Sequence, residues 1–449
     1  MALSGMDIFK LLPKTNCQEC GVPTCLAFAM KLAAGQAELA SCPYVSDDAR
    51  AKLEEASAPP IRPVTIGSGE AALKVGGENV IFRHEKTFVN KPGIALLLTD
   101  AMDDAQLDEK LKRFKELQYE RVGLTLKADC VALKETANDG KKFSALVEKA
   151  KRAGALNLIL MSEKPEILAA AVAACKELRP LIYAACNGNA EALGKLAKEN
   201  SCPLAVKGKN LDEIAEMTNK LTAMGLKDLV IDTGARQLRQ LFQDHVALRR
   251  AALTGKFRPL GYPTIVFPCE MTDDPLKEAL IASTFVPKYG GILVMSDLTG
   301  QNLFPLTVQR MNIYTDPQRP MATSEGIYEI NNPDENSPVI ITSNFSLTYF
   351  IVSGEVESSR VPTWMLIKDT EGLSVLTAWA AGKFVADAIA PFVKKCGIAD
   401  KVKHRTLVIP GAAASISGEL DEELPDWTVR IGPREAAHLT PFLKNWKAE

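Results

Sequence analysis

Eight short runs of aliphatic and β-branched residues recur along the middle of the chain, and they limit its fold more than any other feature. They are Ile94 to Leu98, Val122 to Leu126, Leu156 to Met161, Leu181 to Ala185, Leu204 to Val206, Leu229 to Ile231, Thr264 to Phe267 and Ile292 to Met295. Their starts lie 28, 34, 25, 23, 25, 35 and 28 residues apart. The intervals carry helix-period patterns such as Leu107, Leu111 and Phe114, spaced i, i+4, i+7. Continuous apolar strands need cover on both faces. Eight parallel strands with right-handed crossovers close into a (β/α)8 TIM barrel of about 200 residues. An open doubly wound sheet is the alternative.

A chain of 449 residues exceeds one hydrophobic core, so the α/β barrel, assigned to 93–313, should be flanked by further domains. Residues 1–57 read as a small compact unit. A linker over 58–92 follows, opened by Ser57-Ala58-Pro59-Pro60-Ile61-Arg62-Pro63, where three prolines forbid helix and favour an extended tether. A second linker, 314–338, is marked by Pro317, Pro320, Pro333 and Pro338. Residues 339–449 then read as a small α/β domain, with strands at Val339 to Thr342, Trp364 to Ile367, Thr406 to Ile409 and Trp427 to Ile431. Helical stretches run from Ser374 to Lys394 and from Pro433 to Lys447.

Lys plus Arg (53) nearly cancel Asp plus Glu (55), and no basic run stands out, so no nucleic-acid or anionic-lipid partner is expected. Met1 to Asp7 lacks the pattern of a leader, and no apolar run approaches the roughly 18 residues that span a bilayer. A cytoplasmic location without membrane contact is the expectation. Six of the ten cysteines, Cys130, Cys175, Cys186, Cys202, Cys269 and Cys396, are scattered in apolar surroundings and read as reduced core residues.

The other four, Cys17, Cys20, Cys25 and Cys42, follow the spacing Cys-x2-Cys-x4-Cys-x16-Cys, with Pro43 directly after the last. Proline after the final ligand is common in ferredoxin-type sites. Cys25 sits on the first turn of a helix opened by Pro23 and closed near Gly35, which aims its positive end at an anionic centre. The spacing points to a 4Fe-4S cluster. Zinc, which also takes four thiolates, usually pairs two Cys-x2-4-Cys knuckles and stays open as the alternative.

At the carboxyl ends of the barrel strands the chain offers Asp100, Asp129, Asn187, Lys207, Asp232, Glu270 and Asp297. These either hold a pterin or are ordinary polar turn residues. In the last domain the strand-end loops contain Thr342 to Thr348, Asp369 to Val375, Pro410 to Ser415 and Gly432 to Ala436, rich in small and hydroxyl side chains. Such loops let a backbone approach a large flat ligand, or simply serve as turns and caps. His84, His245, His404 and His438 are isolated from the cysteines and from one another, so a histidine metal site or triad has little support.

Asn16-Cys17-Gln18-Glu19-Cys20-Gly21, Pro23-Thr24-Cys25-Leu26-Ala27-Phe28, Ser41-Cys42-Pro43-Tyr44, Asn344-Phe345-Ser346-Leu347-Thr348-Tyr349 and Glu371-Gly372-Leu373-Ser374-Val375-Leu376-Thr377 together resemble the large (gamma) subunits of the corrinoid iron-sulfur proteins of the anaerobic acetyl-CoA pathway. The resemblance covers essentially the whole chain. It implies a 4Fe-4S cluster on the four cysteines, a central TIM barrel, and a C-terminal Rossmann-like domain holding a cobamide against Thr342, Thr348, Gly372, Leu373, Ser374, Val375 and Ala436. The strand-end loops add Asn344, Thr370, Gly411 and Arg434 to that set. It also implies a methyl carrier. Cob(I)amide takes methyl from methyltetrahydrofolate through a separate methyltransferase and gives it to the nickel cluster of CO dehydrogenase/acetyl-CoA synthase, while the iron-sulfur cluster reduces Co(II) to Co(I). A small partner subunit in a heterodimer and a reductive activator complete the implied partners. The Asp-x-His-x-x-Gly segment that brings histidine to cobalt in many cobalamin proteins is absent, His404 precedes its strand and His438 reads as part of the last helix. The expected cobamide is therefore base-off, which eases cobalt reduction. A pterin-dependent methyltransferase acting at the barrel mouth is the alternative function.

Overall fold

The computed structural model describes every residue except 1–4, 34–36, 38, 47–48, 51–52, 54–58, 122, 317–319 and 448–449. Gly35, Ser57, Ala58, Val122 and Pro317 therefore lie outside the described residues. The chain divides into two compact units, Met1–Tyr119 with Leu126–Tyr314, and Glu120–Thr125 with Thr315–Glu449. Among the described residues no helix is long and apolar enough to cross a membrane.

The first unit begins with helices α1 (Gly5–Leu11) and α2 (Cys25–Ala33), which share a small core of Ile8, Leu12, Val22, Phe28, Ala29 and Val45. A hairpin of β1 (Val64–Ile66) and β2 (Leu73–Val75) follows, inside the stretch expected to be linker. That stretch is not free. Arg258 Nη1 donates to Pro59 O at 2.9 Å, Arg62 N to Gly261 O at 2.9 Å, and Asn157 Nδ2 to Ala71 O at 2.8 Å. Alternate apolar residues Val64, Ile66, Leu73 and Val75 pack into the barrel interior, which is why two short strands form in a segment whose prolines and glycines read as a tether.

The barrel strands are β3 (Gly93–Thr99), β6 (Cys130–Lys134), β7 (Leu158–Met161), β8 (Leu181–Ala185), β9 (Leu204–Lys207), β10 (Leu229–Asp232), β11 (Ile265–Val266) and β12 (Ile292–Met295). All pair in parallel, and one parallel bridge from Ile231 to Thr264 joins the two ends of the sheet. Pleating sorts the side chains. Ile94, Leu96 and Leu98 face the helices while Ala95 and Leu97 face inward, where small residues Ala132, Ala184 and Ala205 let eight strands close on one packed interior. The helices are α3 (Asp104–Glu116), α4 (Gly140–Arg152), α5 (Pro165–Cys175), α6 (Ala190–Glu199), α7 (Leu211–Ala223), α8 (Leu238–Leu253), α9 (Pro275–Phe285) and α10 (Gly300–Ile313). The first starts on a capping box of Asp103 and Gln106 and buries Leu107 and Leu111, as the spacing predicts.

The second strand is displaced from its expected place. Leu124–Lys127 (β5) pairs with Gln118–Arg121 (β4) in a separate two-stranded sheet, and the barrel strand is Cys130–Lys134. Asp129 consequently precedes β6 and lies at the amino end of the barrel. There it accepts from Ile94 N at 2.9 Å and pairs with Arg310, a fully buried guanidinium that also donates to Pro92 O at 2.8 Å and Lys127 O at 3.0 Å.

The second unit contains a five-stranded sheet in the order β13 (Gly326–Ile330), β15 (Thr363–Lys368), β14 (Val339–Ser343), β16 (Thr406–Ile409) and β17 (Thr428–Ile431). Only β13 is antiparallel, and it forms within the second expected linker as an edge strand. Ile340, Met365 and Ile367 pack beneath α11 (Ser346–Ser359) and α15 (Leu439–Lys444), while Val339, Ile341 and Leu366 pack beneath α12 (Val375–Ala380), α13 (Ala386–Lys395) and α14 (Ser417–Glu423). The helix expected from Ser374 to Lys394 is broken. Gly382 adopts φ +70°, and Gly382 N and Lys383 N donate to Trp379 O and Ala378 O, a Schellman ending only a left-handed residue permits at low cost. The last helix is also shorter than expected, and His438 belongs to a 3-10 turn, Ala436–His438, ahead of it.

Arg310→Leu is expected to destabilise the barrel by about 3 kcal/mol, because it leaves the Asp129 carboxylate without its cation in a largely buried site. All four tryptophans, Trp364, Trp379, Trp427 and Trp446, lie in the second unit. The loss should therefore appear as an earlier urea transition by far-ultraviolet circular dichroism, with the tryptophan-fluorescence transition unmoved.

Candidate metal centre and ligand face

The cysteine motif is shaped by backbone that most residues avoid. Asn16, Gln18 and Gly21 adopt φ of 48°, 67° and 74°, which turns the chain tightly about Cys17 and Cys20. Gly21 N donates to Gln18 O at 2.9 Å. Asn16 and Cys25 exchange two bonds: Cys25 N donates to Asn16 Oδ1 at 2.8 Å, and Asn16 N donates to Cys25 Sγ at 3.4 Å. Thr24 caps α2 through a bond from Ala27 N to its Oγ1 at 3.1 Å, so the helix starts at Cys25 itself. Cys25 and Cys42 are buried, Cys17 and Cys20 half-buried, and none of the four is in a disulfide. Tyr44 Oη donates to Glu19 Oε1 at 2.7 Å, and this bond, with the Glu19 charge, pushes the Tyr44 phenol above its ordinary value.

Among the described residues no three His, Cys, Asp or Glu side chains converge on one ion position. A cubane engages four separate irons, one per thiolate, and asks for thiols arranged around a cluster rather than at a point. The donor set is of the kind a cubane takes. It comprises four thiols, an N–H already directed at one sulfur, and the positive end of a helix.

At the carboxyl end of the barrel Asp100, Asn187, Lys207, Asp232, Glu270 and Asp297 are each engaged by other side chains or backbone amides of the chain. Tyr183 Oη donates to Asp232 Oδ2 at 2.6 Å, and Arg236 grips both oxygens of the same carboxylate at 3.0 and 2.9 Å. Arg236 Nε reaches Glu270 Oε2 at 2.6 Å, Lys134 Nζ reaches Glu270 Oε1 at 2.7 Å, and the guanidinium lies over the Phe267 ring. Burial alone would raise the Glu270 carboxyl, yet Lys134 and Arg236 hold it below the usual range. Asp100 accepts from Thr136 and Ala137, Asn187 donates to Glu213, Lys207 faces Glu163 at 3.3 Å, and Asp297 pairs with Arg113 at 2.9 Å. Arg236 and Tyr183, which complete this network, were not legible as partners from spacing.

The last domain shows an opening instead. Strands β14 and β16 pair only at Val339 with Leu407 and Ile340 with Val408, although β14 continues to Ser343. Strand order reverses at this pair, the position where open α/β sheets bind ligands. Here the Ser343 hydroxyl is buried with no partner, beside buried Thr342. Large apolar side chains stand exposed on the helices that follow β14 and β15: Leu347 and Ile351 on α11, Leu376 and Trp379 on α12. Thr348, Leu373 and Ser374 are half-buried, Val375 is buried, Arg434 is exposed and Ala436 half-buried.

Four expected contacts hold the loops to each other. Asn344 Oδ1 accepts from Thr370 N at 3.0 Å, Thr370 Oγ1 at 2.9 Å and Gly372 N at 2.9 Å, and its Nδ2 donates to Asp369 at 2.8 Å. A Cβ on Gly372 would meet Pro320 O at 2.9 Å, and one on Gly411 would meet Gly432 O at 2.5 Å. These glycines permit loop-on-loop packing. Of the two buried histidines, His404 has both ring nitrogens engaged, while His245 keeps a buried Nε2 with no hydrogen-bond partner among the described residues. His404 Nε2 donates to Ser337 O at 2.9 Å while its Nδ1 accepts from Thr406 N at 3.2 Å, and His245 Nδ1 lies 3.3 Å from Lys288 O with burial pushing it down to about 4. His438 is exposed.

Comparison with known proteins gives matches along the whole chain. A family model described as CO dehydrogenase/acetyl-CoA synthase delta subunit matches residues 63–443. A second, described as "Putative Fe-S cluster", matches residues 12–44. The chain is 45% identical over 444 residues to the corrinoid/iron-sulfur protein large subunit of Moorella thermoacetica, covering 99% of each. It is 38% identical over 454 residues to the acetyl-CoA decarbonylase/synthase complex subunit gamma of Methanopyrus kandleri, covering 98% of this chain and 97% of that one. Against subunit gamma 2 of Methanosarcina thermophila it is 36% identical over 464 residues, covering 99% and 98%.

Asn344→Ala removes the acceptor of two buried backbone amides and should cost about 3 kcal/mol. The expected result is an earlier tryptophan-fluorescence transition, with faster hydrogen exchange at the Thr370 and Gly372 amides.

Proposed function

Because the chain belongs to the family of corrinoid/iron-sulfur protein large subunits of acetyl-CoA decarbonylase/synthase systems, we propose that it carries methyl groups on a base-off cobamide and maintains that cofactor with a 4Fe-4S cluster. The observation that carries the reading is the pairing in one chain of a four-thiol motif with a sheet that unzips at its switch point into an apolar-rimmed face. When bound, the cobamide supplies a low-valent cobalt nucleophile that accepts methyl from methyltetrahydrofolate and yields it to a nickel centre, and the cluster supplies the low-potential electron that restores oxidised cobalt.

Cys17, Cys20, Cys25 and Cys42 would hold the iron. The N–H of Asn16 aimed at Cys25 Sγ would tune its charge, a lever that raises cluster potential. Ser343, Thr342, Thr348 and Ser374 offer hydroxyls to the polar edge of a macrocycle, and Leu373, Val375 and Ala436 offer it apolar contact. Leu347, Ile351, Leu376 and Trp379 would exclude water around it. Asn344 and Thr370 set the spacing of the two loops from behind. His404 is consumed at the amino end of β16, which supports an unligated lower face. The proposed donors and acceptors are a methyltransferase, a small partner subunit, CO dehydrogenase/acetyl-CoA synthase and a reductive activator, acting in the cytoplasm. The mutual pairing of Asp232, Arg236 and Glu270 favours the barrel as scaffold over a pterin site.

Protein purified without oxygen is expected to contain cobalt and iron in a ratio of about one to four; iron without corrinoid would sink the reading. Cys20→Ala should abolish recovery from Co(II) while prereduced protein still transfers methyl. His438→Ala should leave the electron paramagnetic resonance spectrum of the Co(II) form unchanged, because a change would make His438 a cobalt ligand and refute the base-off assignment.

A further inference from the structure

Cys42 differs from the other three thiols in how it is held, a point that rests on the reading of the four cysteines as ligands of a four-iron cluster. Cys17, Cys20 and Cys25 lie within one short loop fixed by the Gln18–Gly21 turn and the reciprocal Asn16–Cys25 bonds. Cys42 is separated from Cys25 by 16 residues, and among the described residues its own amide donates to Leu39 O, at 3.2 Å within its local turn. Its side chain is buried beside Val22 and Phe28, but apolar packing is not directional. Among the described residues, the hydrogen bond that crosses from the Cys42 segment to the cysteine loop joins Tyr44 Oη to Glu19 Oε1 at 2.7 Å. Glu19 lies between Cys17 and Cys20, and Tyr44 lies two residues beyond Cys42.

We propose that Glu19 and Tyr44 form a latch that holds the Cys42 arm against the Cys17–Cys20 loop and so secures the fourth iron. Both are positioning residues that act through the cysteines. The bond has a charged acceptor, which makes it stronger than a neutral one despite the 52% exposure of Tyr44. Cys42 is the thiol that would separate first when the latch is absent, and iron would leave from that corner.

The test uses the full chain reconstituted with iron and sulfide without oxygen, in the unmodified form and as Tyr44→Phe, Glu19→Ala and Glu19→Gln. Tyr44→Phe and Glu19→Ala are expected to bind four irons but to lose one to a chelator under mild oxidation about tenfold faster, with a three-iron electron paramagnetic resonance signal. Glu19→Gln keeps an acceptor oxygen and should stay within about twofold of the unmodified rate. Equal loss rates in all four proteins overturn the latch. So does faster loss in both Glu19 variants with none in Tyr44→Phe, which would assign the effect to charge. Failure of the unmodified protein to bind four irons overturns the cluster reading itself, and the latch with it. Circular dichroism verifies that each variant is folded, and Glu19→Ala carries the test where Tyr44→Phe is not.

Discussion

Parallel strands built from aliphatic residues have two apolar faces, and neither can be left to water. In the first unit that requirement closes eight strands on themselves and rings them with eight helices. It also recruits the β1–β2 hairpin, whose Val64, Ile66, Leu73 and Val75 cover the amino end of the interior. At the other end the strands finish in charged residues that neutralise each other around Arg236. Both ends of the barrel are thereby filled by the chain itself, by apolar contact at one and by ion pairs at the other.

The second unit meets the same requirement with an open sheet covered by helices on both faces. An open sheet has an order, and its order reverses between β14 and β16. The helices after these strands leave toward opposite faces, so nothing draws the strand ends together beyond Ile340 and Val408. The carboxamide of Asn344 holds the neighbouring loop by three accepted bonds, making a firm wall on one side of the gap.

Much of this was legible from residues alone where the cause is local. The strands Leu181–Ala185, Ile292–Met295 and Thr406–Ile409 end where their apolar runs end. The spacing of Leu107 and Leu111 in α3 and the cysteine spacing are likewise short-range signals. Val122 to Leu126 misled because a short apolar alternation suits an exposed hairpin as well as a core strand, whereas the apolar run Cys130 to Leu133 is only four residues long and sits between Asp129 and Lys134. The hairpin at Val64 and the edge strand at Gly326 were obscured by nearby prolines, since what stabilises them is the surface they pack on. The pairing of Asp232 with Arg236 and Tyr183, and of Glu270 with Lys134, was beyond reach because side chains on four different strands and loops meet only once the barrel closes. Gly382 carried a readable sign of the helix break, and Ser343 carried none.

The way β14 and β16 part has a bearing on what can bind between them. Their shared hydrogen bonds, their two covering layers and the Asn344 fastening all join protein groups to one another, so the chain's own contacts define both the register of the sheet and the gap between its strand ends. A ligand entering there would meet a berth whose base is two backbone pairs, Val339 with Leu407 and Ile340 with Val408, and so would have to fit an opening that the strands themselves define.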